Sequence, residues 1–534
     1  NPNAENATNG GDVIFGSGAL NTVPGMTLYD PETGLYGGVQ NPEEENVSNF
    51  NPYRRMWFYK EDFPIKTRRI VPKLFARLSP VEGLTLSASF TYNSWERNEE
   101  YQLCDKNLYR FTLDGPVLLR EGTVRTYINR YNRRNTFRTS DVTARYEWNV
   151  SKLNASALVG ISQEYNKRED ERFRKYDLAD DALTSINGGS TNGEIEGNYT
   201  EWAMRSYFGR INLSWDDKYL LEVNLRADGS SRFAPDKRWG WFPSVSAGWS
   251  ISEEPFLKKA AGWLDMLKLR ASVGNPGNQN FDAYIAMKIY TYNNHHTNPW
   301  GVSAIINNFG NPDLEWQKTL DRNIGLDLVV FNNRLRVNFD YFSKKTDPLL
   351  VYTGVPSSTG GTSVPANVGG QVTKGYTVVL NYALLKKEHL LWQVNATLRH
   401  LTSEYRNVSA YLSRFNDENK TKNMLRYYDG GSPSDLWAVR SAGIDAATGR
   451  EIFLHKDGTQ SFAYNVEDEV VVGNSDPKLE GVVGMSFYYK GFSASANFRY
   501  RLGGQIFMAP QTSLACSLDV VVCLRCVVHT SVYE

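Results

Sequence analysis

Cysteine is nearly missing from this chain. Its 534 residues hold four, with Cys104 alone and Cys516, Cys523 and Cys526 crowded at the end. That usage implies no disulfide framework. Nowhere does an apolar run reach the roughly 18 residues that a spanning helix requires, and mean hydropathy is negative at -0.47. An excess of either charge is lacking too, since Lys+Arg and Asp+Glu number 59 each, which removes the electrostatic case for a nucleic-acid partner. No fixed internal period is present, and a propeller thereby loses its usual signature. The opening residues NPNAENATNGGDV show neither an initiating Met nor a basic segment leading into an apolar one, so no secretory signal is visible and a fragment is the expectation.

Aromatic residues and glycine are what the chain has in quantity. Phe, Trp and Tyr make up 13% of residues, 31 of them Tyr, beside 43 Gly, a balance that suits many strands and turns with rings at an interface. Apolar residues recur at every second position along most of the sequence. Leu335, Val337, Phe339 and Tyr341 alternate with Arg334, Arg336, Asn338 and Asp340. Tyr219, Leu221, Val223 and Leu225 face away from Glu222, Asn224 and Arg226, and Phe492 to Tyr500 repeats the pattern. Each run predicts a strand with one apolar face. A charge facing lipid at mid-bilayer costs about 2 to 4 kcal/mol, so such segregation is expected where one face meets lipid and the other a wet lumen. On the order of fifteen strands of about ten residues are predicted, with aromatics such as Tyr92, Trp148, Trp215, Trp249 and Tyr341 at their ends.

Connections come in two sizes. Asp216-Asp217, Asn332-Asn333 and Lys490-Gly491 read as hairpin turns, because Asn, Asp and Gly accept the left-handed backbone. The stretches 162–199, 291–315, 352–371 and 403–434 read as long polar loops. Short turns at one end and long loops at the other describe an outer-membrane barrel. The fold class read from the sequence is therefore all-β, an antiparallel transmembrane β-barrel.

Enzyme chemistry finds no constellation. His295 and His296 sit in an Asn-rich stretch that reads as a solvated loop rather than a metal site, and Cys523-x-x-Cys526 has no second ligand pair at suitable spacing. Glu253 and Glu254 would point to opposite faces of a strand. Ser230 and Ser231 follow Asp228, but no histidine stands nearby as a base. No catalytic residue, metal or cofactor is expected.

Five ordered blocks carry the strongest signal: DGSSRF at 228–233, RWG-x-FPS-x-SAGW at 238–249, ISEE-x-F, LKLRAS-x-G ending at Gly274, and GNQ at 277–279. NPDLEWQKT at 311–319, NVGG, KGY at 374–376 and GNSDPKLEGVVG at 473–484 follow. Together they closely resemble the SusC/RagA family of TonB-dependent outer-membrane transporters of Bacteroidota, over roughly residues 53–505. By that resemblance the chain is the C-terminal part of a barrel of roughly 22 strands. Residues 1–52 would be a partial strand and loop region at a truncated barrel start, and 506–534 an atypical, frameshifted tail; the plug and TonB box of such transporters are not recognisable.

The resemblance implies a cell-outer-membrane importer of glycans or peptides. It would be capped by a SusD-like surface lipoprotein, driven by TonB with ExbB and ExbD through the plug, and surrounded by lipid. The motif residues Asp228, Gly229, Ser230, Ser231, Arg232, Phe233, Arg238, Trp239, Gly240, Pro243, Trp249, Gly274, Gly277, Asn278, Gln279, Asn311, Pro312 and Trp316 are expected to be structural, because a motif shared across diverse cargo serves folding better than one substrate. Asp228, Arg232, Arg238 and Trp239 could alternatively meet a sugar or peptide ligand. Two other readings stay open, a secreted all-β carbohydrate-binding or adhesin protein, and a nonfunctional gene fragment.

Overall fold

The computed structural model describes residues 65–103, 126–179, 183, 185–258, 262–278, 281–299, 301–354, 363–408, 410–418 and 426–505, with short strand pieces at 29–30, 35–36, 108–112, 115–120 and 526–527. One antiparallel sheet dominates it and curls into a barrel. Its long strands are β1 (Lys73–Val81), β2 (Leu84–Leu103), β3 (Tyr127–Val150), β4 (Leu153–Leu178), β5 (Gly189–Trp215), β6 (Tyr219–Ser230) and β7 (Trp239–Ser250). They continue as β8 (Leu264–Gly274), β9 (Gln317–Val330), β10 (Leu335–Thr346), β11 (Gly370–Lys387), β12 (Leu390–Arg406), β13 (Leu479–Tyr489) and β14 (Phe492–Leu502). Each pairs with the next in chain order, from Leu86 opposite Leu78 between β1 and β2 to Phe498 opposite Val483 at the other side. That up-and-down order satisfies backbone N–H and C=O groups between neighbours, as hydrocarbon surroundings require.

The hairpin turns fall where the sequence places them. Asp216, Asp217, Asn332 and Asn333 take positive φ of 53 to 59°, and Lys490-Gly491 does likewise. Ser151 and Gly83 turn at the same end of the wall, where a short helix, Pro255–Lys258, sits between β7 and β8.

At the other end the structure corrects the expected loops. Most of 162–199 is not loop: β4 and β5 run on through it, with Arg172 opposite Glu196 and Lys167 opposite Glu201. Within 291–315 lies a hairpin of Ile289–Asn298 and Gly301–Asn308, so His295 and His296 stand on a strand. Within 352–371 Leu350–Gly354 pairs with Ser363–Asn367, and 403–434 holds the end of β12 and a helix, Ala410–Glu418. Alternating charge hid these strands, because period two is legible only when one face is apolar. Strands β1, β6, β7, β8, β10, β13 and β14 stay at 9 to 12 residues, whereas β2 to β5 are correspondingly longer than the expected ten, up to the 27 of β5. At roughly 3.3 Å per residue and a barrel tilt, such a strand outruns an apolar band of about 25 Å. Tyr92 and Tyr341, expected at strand ends, lie within β2 and β10.

Among the described residues buried apolar side chains are fewer than large exposed ones: Val159 is 61% exposed, Ile211 48%, Leu225 47% and Ile324 57%. Water would not tolerate so continuous an apolar wall. No helix among the described residues is long and apolar enough to cross a membrane, which leaves crossing by strands untouched.

Candidate functional site: the lumen wall and its mouth

Side chains alternate across each strand, so one face of the sheet is a polar lumen. Arg270 on β8 reaches over β9 to β10. Its guanidinium donates to both carboxylate oxygens of Asp327 at 2.8 and 2.9 Å and lies 3.1 Å from Asp340. Asn338 donates to the same Asp327 at 2.8 Å. Gly325 lies between the two carboxylates, and a Cβ there would stand 2.6 Å from the Arg270 guanidinium, so the bare glycine leaves its path open. Elsewhere on the wall Arg210 donates to Asn224 at 2.7 Å, and Asn224 to Glu222 at 2.7 Å. Lys344 pairs with Asp321 at 3.2 Å. This face of the wall is a field of mutually paired charges and amides. Such a surface can hold water and hydrogen-bonding cargo.

The motif blocks meet at the long-loop end, on the lumen side. The end of β6 and the turn from β6 to β7 carry DGSSRF and Arg238. Phe233 is fully buried there with Phe242, Ile285, Leu314, Trp316 and Met204. The Trp316 ring lies 5.0 Å from Phe233 and 5.2 Å, edge-on, from Phe242, and its indole N–H donates to the Arg238 carbonyl at 2.8 Å. Gly240 is overlaid by the Phe242 and Trp316 rings, and Gly277 by Phe242. Ser231 binds β5 twice, its N–H donating to the Ala203 carbonyl and its Oγ accepting from the Ala203 N–H, both at 2.9 Å. Ser230 is fully buried, with its N–H on the Arg238 carbonyl at 3.1 Å.

Asp228 accepts from Arg226 at 2.7 and 2.9 Å, Arg226 also donates to Ser206 at 2.9 Å, and the Arg232 guanidinium lies 4.2 Å over the Trp202 ring. Lys237 pairs with Glu315 at 2.7 Å and holds its carboxyl below the usual range. Asn311 donates to the Pro365 carbonyl at 3.0 Å and accepts the Asp313 N–H at 3.0 Å, while Pro312 is exposed beside it.

The remaining motif residues lie elsewhere on the wall. Trp239 faces outward over Gly229 and stacks on Tyr207 at 5.7 Å. Pro243 also faces outward on β7, its carbonyl accepting the Asn275 N–H at 2.9 Å, and Gly274 packs against Ser244. Asn278 pairs with Gln317, and Gln279 lies outside the described residues. Trp249 belongs to the opposite end. Its indole N–H donates to Glu254 at 3.1 Å, and the Tyr219 hydroxyl donates to the same carboxylate at 2.6 Å; the Tyr219 bond first and the Trp249 bond second hold that carboxyl below the usual range. Glu253 closes a short 3-10 helix, Ile251–Glu253, that follows β7, and Glu254 caps it, so the two carboxylates are not arranged as neighbours along a strand.

Sequence reasoning missed an aromatic cluster above β12. Tyr405 lies 5.0 Å from Tyr427, and Tyr428 meets Trp437 edge-on at 5.1 Å. Tyr428 donates to Asp435 at 2.8 Å; burial and that carboxylate push its phenol up to about 12. Its residues are scattered over a segment with no apolar period, so only the tyrosines themselves were available as a signal. Among the described residues no group of three or more His, Cys, Asp or Glu could hold a metal ion.

Comparison with known proteins decides the family. Residues 7–512 match the sequence model of the family described as TonB dependent receptor-like, beta-barrel. The chain belongs to that family. TonB-dependent receptor P3 of Formosa agariphila is 25% identical over 531 residues, spanning 93% of this chain and 50% of its own length. TonB-dependent receptor SusC of Bacteroides thetaiotaomicron is 31% identical over 286 residues, 52% of this chain and 26% of SusC. The RagAB peptide transporter structure superposes with a TM-score of 0.75 at 23% identity, over 88% of this chain and 51% of that one, which shows a shared fold. The chain thus spans about half or less of the relatives it matches. The family consists of outer-membrane transporters rather than enzymes, as the motif resemblance implies.

Proposed function

We propose that this chain is the barrel wall of an energy-coupled outer-membrane importer, with residues 53–505 forming the conduit and docking rim. The observation that carries it is the segregation of the sheet, with hydrocarbon outward and a paired polar lumen inward under a mouth rich in aromatic rings. The cargo class is an oligosaccharide or peptide, since amides, paired charges and ring faces recognise both. The motif residues around Phe233 and Trp316 serve this structurally, by tying the β6–β7 turn to β5 and β9, and leave specificity to loops. A SusD-like lipoprotein at the long-loop end and TonB, acting through a plug, complete the machine; kinship with SusC and the peptide-transporting RagAB supports both partners.

The test uses the full-length protein in its own outer membrane. Deleting its gene is expected to abolish uptake of at least one labelled oligosaccharide or peptide pool, collapse of the proton gradient to mimic the deletion, and a tagged copy to co-purify a surface lipoprotein. Unchanged uptake of every pool together with no lipoprotein partner would overturn the reading.

A further inference from the structure

The lipid-facing wall carries a depression. On β3 to β7, beside the turn from β6 to β7, small residues replace large ones: Ala144, Gly209 and Ala227 floor this depression of about 880 Å³, walled by Val142, Trp239 and Trp241. Its surface is almost wholly hydrocarbon, and an elongated apolar body would restore an even wall.

Directly above it stand two cations. Following the register outward from the groove, Ile161 and Tyr207 give way to Gln163 and Arg205, and then Tyr165 pairs with Arg138. The Arg138 guanidinium sits between two rings, 5.8 Å from Tyr92 and 5.6 Å from Tyr165, which fixes a side chain that would otherwise roam. Arg205 is exposed and only touches Gln163 at 3.4 Å. Among the described residues neither pairs with a carboxylate. Farther out nearly every cation does: Arg134 with Glu96, Lys167 with Glu169, and Arg172 with Glu194. Two uncompensated guanidiniums at the boundary of the apolar band, above an apolar groove, are complementary to an anionic head on a hydrocarbon tail.

The geometry points to a site for a phosphate-bearing lipid of the surrounding outer leaflet, with one acyl chain along Ala144, Gly209 and Ala227 and the phosphate between Arg138 and Arg205. Guanidinium suits this role because its planar N–H pairs bind phosphate oxygens two at a time. The site lies on the outer face of the wall and is separate from the lumen. It rests on the membrane-barrel reading.

The experiment is native mass spectrometry of the full-length protein in detergent, incubated with phosphatidic acid or with the matched diacylglycerol. Heat-modifiable gel migration of the same samples reports the barrel separately. Phosphatidic acid is expected to be retained and diacylglycerol not. Arg138→Gln with Arg205→Gln should reduce retention about tenfold or more, as losing two charge-assisted contacts implies, and Gly209→Leu should reduce it with both arginines intact. Equal retention by the double variant, or displacement of the lipid by inorganic phosphate alone, would overturn the lipid site while the heat shift persists. Absence of the heat shift in the unmodified protein would overturn the barrel itself.

Discussion

Replacing Trp316 with alanine is expected to cost about 3 to 5 kcal/mol, the range for emptying a buried aromatic site. Trp316 is 3% exposed, and its ring is the piece against which both Phe233 and Phe242 pack. Its loss also leaves the Arg238 carbonyl with one donor fewer, since only the Ser230 N–H then remains. The surrounding wall cannot collapse to fill the space, because Phe242 is held by the ladder of β7 and Phe233 by a turn bound to β5. Local proteolysis between β6 and β7 should therefore accelerate, and the urea midpoint of the detergent-solubilised full-length protein should fall. Trp239→Ala is the control: that ring is 49% exposed toward lipid, and its removal should move the midpoint far less. Equal effects of the two changes would mean that the motif does not hold the mouth together.

Gly481→Ala should be nearly as damaging, for a backbone reason. The Tyr500 ring on β14 crosses Gly481 on β13, and its hydroxyl donates to the Thr397 carbonyl of β12 at 3.0 Å. A Cβ on Gly481 would enter the contact radius of that same carbonyl oxygen and crowd the Tyr500 hydroxyl, 2.7 Å away. The carbonyl belongs to a paired strand and cannot rotate aside, so strands β12 to β14 must shift. Overpacking of this kind costs about 1 to 3 kcal/mol. Tyr500→Phe, which only removes the hydrogen bond, should cost about 0.5 to 1.5 kcal/mol. The measurement is the same urea midpoint, and a Gly481→Ala protein as stable as its parent would contradict the close approach.

Both changes fall on residues that stand out in the sequence, which shows what a linear reading can reach. Leu221, Val223 and Leu225 against Glu222, Asn224 and Arg226 specify strand, face and solvent together, because period two and lipid exposure coincide there. Asp216-Asp217 and Asn332-Asn333 specify turns because few residues accept positive φ. Beyond the apolar band both signals fade. From Lys167 to Arg174 charges occupy both faces, and the pairing of β3, β4 and β5 is written in cross-strand partners such as Arg133 with Asp170 at 2.7 Å, which no local pattern reveals. The mouth was half legible. The motif blocks identify Phe233 and Trp316, yet only the fold brings residues 83 positions apart to one ring-on-ring contact, and Met204 and Ile285 carry no mark in the sequence. The Tyr428 and Trp437 cluster was unreadable for the same reason.

The measurement closest to the central claim is a fluorophore scan along β6. Single cysteines at 221 to 226 would be placed in a full-length protein whose native cysteines are serine, labelled, and reconstituted into vesicles of brominated phosphatidylcholine. Labels replacing Leu221, Val223 and Leu225 should be strongly quenched, and those replacing Glu222, Asn224 and Arg226 should remain bright and reachable by aqueous iodide. Uniform quenching, or none at any of the six, would contradict a wall that meets lipid on one face and a wet lumen on the other.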